Sequence, residues 1–157
     1  MTETTADANE VILRLGELIE VDAEVGGGFE LASELARDSR IRAVLTRASL
    51  QRTRFVHELQ SEVRELGGDP HLVERRVGRL QRSWLALHKA SREQDLAGAI
   101  SACARGDVQT LDAYRAIIAA GLPLRTRALL RRQELEIEML HGALESLGSE
   151  LEQRVAS

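Results

Sequence analysis

One cysteine, two prolines and 3% aromatic residues are all that this 157-residue chain holds of three classes that define large groups of folds. The single cysteine, Cys103, excludes an internal disulfide. It falls on an apolar stripe and reads as a buried, reduced thiol. So few aromatics disfavour β folds and base-stacking surfaces. No run approaches the ~20 apolar residues that span a bilayer. The opening MTETTADANE has neither the basic n-region nor the apolar h-region of a signal peptide. A soluble, cytoplasmic protein with no membrane partner is the expectation. An excess of positive charge is also missing: the net charge is −4, with basic and acidic residues interleaved, so nucleic acid is not an expected partner. The densest basic run, LRTRALLRRQ from Leu124 to Gln133, is soon balanced by Glu134, Glu136 and Glu138 and reads as a solvated face.

What is present is helical periodicity. Hydrophobic residues make up 43% of the chain and charged ones 29%, a mix that suits an all-α protein with a real core. A first helix spans about Ala8 to Ala36, with Val11, Leu15, Leu18 and Ile19 continuing through three glycines to Phe29, Ala32 and Leu35. A second follows Asp38, a plausible N-cap, and carries Ile41, Val44, Leu45, Ala48, Phe55, Leu59 and Val63 until LGGDP stops it. The third carries Leu96, Ile100, Cys103, Leu111, Tyr114 and Ile118 up to GLP. The fourth starts at Pro123 and runs through Leu130, Ile137, Leu144, Leu147 and Leu151.

The connections set the topology. Short joints near Asp38 and at GLP make two antiparallel hairpins. Residues 69–93 between them include the amphipathic stretch HLVERRVGRLQRSWLALHKA, and a helix there would span about 25–30 Å at 1.5 Å per residue. Such a long helical crossover makes helices two and three parallel, as in ferritin-like four-helix bundles. The expected organisation is one domain over residues 1–157, with 1–8 as a disordered tail and 69–93 as the crossover. Trp84 would anchor the crossover, while His71 and His88 lie at the surface.

Five stretches also look familiar: LIE…GF at Leu18 to Phe29, FVHELQSEVRELGGDP at Phe55 to Pro70, GRLQRSWLAL at Gly78 to Leu87, CARGD…LDAY at Cys103 to Tyr114, and LPLRTRALLRRQ…I…H ending at His141. Together they resemble small bacterial ferritin-like four-helix-bundle proteins of largely unassigned function. The resemblance runs from Leu13 to Leu147, and the RELGGDP turn with the later tryptophan is its most specific part. It implies a fold and not an activity.

Ferritin-like carboxylate sites take a glutamate from each of two helices and a Glu-x-x-His pair from each of the other two. Here helix four offers Glu138 and His141 at that spacing. Helix three offers Asp107, which breaks the stripe between Cys103 and Leu111; a buried carboxylate needs a partner, a metal or a shifted pKa. Its bland reading is a hydrogen bond to His141 or Gln51. The expected metal ligands are Asp107, Glu138 and His141, with Glu24 or Asp22 as a fourth. The resemblance also implies losses. Gln51 stands where the family tends to have an acid, and Gly26 and Gly27 stand at acidic positions. In helix two the nearby histidine, His57, follows Arg54 by three residues instead of a glutamate.

Three candidates can hold one ion loosely, whereas a di-iron site takes six side chains. The glycines of EVGGGF either admit a neighbouring side chain or let the helix bend. No nucleophile-and-base set, phosphate-cradling loop or paired-Cys motif is present in the sequence. The leading expectation is a non-enzymatic ferritin-like bundle with a degenerate site and no cofactor, acting through homo-oligomerisation, most simply as a dimer, or through a protein partner. The alternative is a metal-binding oxidoreductase or iron-handling protein holding iron or another divalent transition metal. A third reading is a helical adaptor whose crossover docks a partner helix.

Overall fold

The computed structural model describes residues 7–73 and 81–156, without the side chains of 72–73, 81–86 and 155–156. The described chain is all-helical. In order, α1 is Ala8–Leu35, α2 Ser39–Glu65, α3 Pro70–Val73, α4 Gln81–Arg92, α5 Leu96–Ala119 and α6 Leu124–Ala156. The stripes locate these elements because residues three and four apart share a face and bury together. Asp38 caps α2 by accepting from the Arg40 amide at 2.8 Å, and Asp95 caps α5 by accepting from the Gly98 amide at 2.9 Å. Helix α2 stops where Gly67 takes φ +89°, a left-handed conformation that costs a glycine little, and the Gly68 amide closes back on the Val63 carbonyl.

Going round the assembly, α1 touches α2, α2 touches α6, α6 touches α5 and α5 touches α1. Two apolar clusters stack along it. One gathers the end of α1 (Val25, Phe29, Ala32), the start of α2 (Ile41, Leu45), the start of α5 (Ala99, Ile100, Cys103) and Leu144 of α6. The other gathers the start of α1 (Leu15, Leu18), the end of α2 (Phe55, Leu59, Val63), the end of α5 (Leu111, Tyr114, Ile118) and Leu130 of α6. Both α2 and α5 therefore begin at the first cluster and end at the second, so they run in the same direction. Helix α4 rests on α5 and α1, contributing Leu87 and Ala90 to the first cluster. Each buried Leu, Ile or Phe contributes about 1.5–3 kcal/mol, so the clusters carry most of the favourable folding energy.

Among the described residues no helix is long and apolar enough to cross a membrane. Residues 1–6 of the expected tail, residues 74–80 of the expected crossover and the Trp84 side chain lie outside the described residues. His71 and His88 are exposed.

Candidate functional site

Between the two clusters each long helix breaks its own apolar stripe. Asp22 falls between Leu18 and Val25 on α1. Arg52 falls between Ala48 and Phe55 on α2. Asp107 and Thr110 come before Leu111 on α5, and Gln133 lies between Leu130 and Ile137 on α6, with His141 one turn further. Because the helices are in register, these interruptions meet in one layer.

The centre of that layer is Arg52, only 1% exposed. Its Nη1 donates to Asp22 Oδ1 and to Thr110 Oγ1, both at 3.2 Å, and its Nη2 donates to Asp107 Oδ1. Thr110 can accept because its own proton goes to the Gly106 carbonyl at 2.7 Å. The Phe29 ring centre lies 6.0 Å from the guanidinium carbon. A planar fork matches two carboxylates in a way that an ammonium does not. The stem of Arg52 reaches this place because α1 has no side chain in its path: a Cβ added to Gly26 would stand 3.0 Å from Arg52 Cβ. Of the two roles open to the glycine run, Gly26 takes the first and admits a neighbour.

A second branch starts at the other oxygen of Asp22. The Tyr114 hydroxyl lies 2.6 Å from Asp22 Oδ2 and 2.9 Å from Gln133 Oε1. Gln133 Nε2 donates to Glu58 Oε1 at 3.2 Å, so its Oε1 can only accept. One phenolic proton thus faces two acceptors. A proton on Asp22 resolves the conflict, with Asp22 donating to the phenol and the phenol donating to Gln133. Burial pushes Asp22 the same way, up to about 6 against the pull of Arg52. Burial, with Asp22 beside it, holds the Tyr114 phenol well above its ordinary value.

The third branch leaves Asp107. Its Oδ2 lies 3.0 Å from His141 Nδ1, while His141 Nε2 lies 3.1 Å from Glu145 Oε1. With a carboxylate at each ring nitrogen, the doubly protonated imidazolium satisfies both contacts. The hydrogen bond to Asp107 raises the His141 pKa above its ordinary value. Once Asp22 gives up that proton, above about 6, Arg52 and His141 balance Asp22 and Asp107.

Of the residues singled out in the sequence, Asp107, His141 and Asp22 come together in this layer, Asp22 bonded to Arg52 directly and His141 linked to it through Asp107. Glu138 does not join them; it faces Arg115, which also binds Glu134 at 3.1 Å. Glu24 is half-buried with Glu20 as its charged neighbour, and burial followed by that repulsion raises its pKa. Gln51 turns away, its amide donating to the Glu136 carbonyl at 3.0 Å. Arg54 is exposed and pairs with Glu136. Tyr114, a stripe residue, makes two polar contacts.

The sequence reading passed over Arg52, Thr110 and Gln133. Their signal was available, since all three sit at core spacing. Arginine at such a position is easily taken for a boundary residue whose stem snorkels to water.

This donor set does not fit a ferritin-type metal centre. The two inner carboxylates already face a permanent cation, and a divalent ion between them would stand against the guanidinium at short range in a dry interior. Among the described residues no group of three or more His, Cys, Asp or Glu is arranged to hold an ion. Burial pushes the nearby Cys103 thiol up to about 12, away from the reactive thiolate form.

Residues 10–120 match the family described as a domain of unknown function, DUF2383. The chain belongs to that family. No curated protein and no solved structure matches it.

Proposed function

We propose that this member of the DUF2383 family is a ferritin-like bundle in which an arginine does the work of the metal, leaving a non-enzymatic scaffold that acts by binding another protein surface. The observation that carries the reading is the Arg52 guanidinium shared between Asp22 and Asp107. In a carboxylate bundle a metal holds four helices together by neutralising inward acids. Here the cation is covalently part of α2, reaches α1 and α5 directly, and engages α6 through Asp107 and His141. The common direction of α2 and α5 supports the ferritin-like wiring, with residues 69–93 as the crossover. Arg52, Asp22 and Asp107 are buried away from any substrate, so in this reading function falls to the outer faces.

The test is metal retention. Protein given excess ferrous iron without oxygen, then desalted, is expected to keep less than a tenth of an equivalent per chain and to consume no oxygen beyond the buffer rate. One or two irons held per chain and released by an Asp107→Ala, His141→Ala double variant would overturn the reading in favour of an iron-handling protein.

A further inference from the structure

The four long helices leave two broad outer faces. Helix α4 lies over the face made by α1 and α5. Among the described residues nothing covers the opposite face, made by α2 and α6. There a groove of about 600 Å³ runs between the helices, floored by Leu50, Met139, Leu140 and Ala143 and bounded on α2 by Arg47 and Arg54. Leu50 is 64% and Met139 78% exposed, a poor use of two large apolar side chains unless something covers them.

The charges on the two helices are opposite and segregated. From Ser39 to His57, α2 has no acidic residue, and Arg40, Arg47, Leu50 and Arg54 share its outer stripe at successive spacings of seven, three and four. From Gln133 to Gln153, α6 has no lysine or arginine but has six glutamates. Glu136 and Glu150 share the α6 stripe with Met139. Arg47 forms no ion pair among the described residues. The helices are antiparallel, as the Arg132–Glu58 pair at 2.7 Å and the Arg54–Glu136 pair at 3.0 Å show. Continued along the helices, that register sets Leu50 level with Met139 and Arg40 level with Glu150.

We infer that this face binds a second copy of the chain across a two-fold axis parallel to the helices. Only that axis lays the basic α2 on the acidic α6 of the other copy while keeping the levels. It brings Leu50 against Met139 of the second copy, Arg54 against its Glu136 and Arg40 against its Glu150, twice over by symmetry. A two-fold axis across the helices would instead stack α2 on α2, setting the arginine stripes against each other. The inference rests on the scaffold reading and supplies its partner.

Sedimentation of the full chain at micromolar concentration is expected to give twice the 17.3 kDa chain mass. A Leu50→Asp, Met139→Asp double variant is expected to keep its helical circular dichroism and to dissociate at least about tenfold more readily, as loss of a central apolar contact does. Leu50→Cys chains mixed with Met139→Cys chains under a mild oxidant should form a 50-to-139 disulfide between copies faster than either variant links to itself. Three results would each overturn the inference: a 17.3 kDa species at every concentration, a dimer indifferent to both aspartates, or Leu50→Cys linking preferentially to itself. Iron retention, measured separately, decides the scaffold reading whichever way the dimer experiment falls.

Discussion

Two arginines of this protein make the same chemical contacts in opposite surroundings. Arg52 on α2 and Arg115 on α5 each bridge two carboxylates, Asp22 with Asp107 in one case and Glu134 with Glu138 in the other. The Arg52 side chain is 1% exposed and the Arg115 side chain 51%. Water and salt already solvate and screen the outer pair, so its geometry adds little to stability. The inner pair has no such fallback: each charge there is tolerable only because the other is present. Similar bridges therefore differ in consequence, and the sealed one fixes how α1, α2 and α5 meet.

The largest test of that contrast is Arg52→Ala, which leaves two buried carboxylates facing each other. By urea unfolding at pH 7 it is expected to cost about 3–5 kcal/mol. Replacing the whole group, with Arg52→Met, Asp22→Asn and Asp107→Asn together, should recover most of that loss. A triple variant as unstable as the single one would mean that the charges are not what the layer balances.

Next in size is a pH effect. Asp22 binds its proton more tightly folded than unfolded, with a value of about 6 against the ordinary 3.8. Its contribution is present below about 4 and is lost as pH rises through about 6, a fall of roughly 3 kcal/mol. His141 has the same sign: its raised pKa gives stability below its ordinary value of 6.5 that disappears as pH climbs through the folded value. Asp22→Asn should remove the fall between pH 4 and 6 while leaving the part above 6.5. An unchanged profile would show that Asp22 holds no proton in the fold.

Gly26→Ala is expected to cost about 1 kcal/mol. The added carbon gains helix propensity but crowds Arg52 Cβ at 3.0 Å, and the guanidinium is pinned on three sides. A stabilised variant would show that α1 and α2 can separate without disturbing the layer. Arg115→Ala closes the series at about 0–1 kcal/mol in the same urea assay. A loss as large as that of Arg52→Ala would erase the contrast between the two arginines.

The sequence made the scaffold legible because helix length, stripe and turn chemistry are local. Asp38 capping α2, the LGGDP stop and the short joint before Leu124 could all be read without tertiary knowledge. Asp107 and His141 were also legible, as polar groups on or beside apolar stripes. Arg52 was not, because a charged residue at core spacing becomes a core residue only if carboxylates on other helices arrive at its level, and level is a tertiary property. Glu138 shows the converse error. The Glu-x-x-His spacing drew attention to it, yet 138 follows the inward position 137 by one residue, which turns it about 100° around the helix toward Arg115. Spacing within one helix says which residues share a face and not which face is wanted.

If Arg52 occupies the place of a cation, removing it should create a place for one. Thermal unfolding of wild type and of Arg52→Ala, each with and without millimolar manganous ion, measures this directly. The account predicts that the ion raises the midpoint of the variant by several degrees, that adding Asp107→Asn abolishes the rise, and that wild type does not respond. An equal rise in wild type, or no rise in the variant, would contradict it.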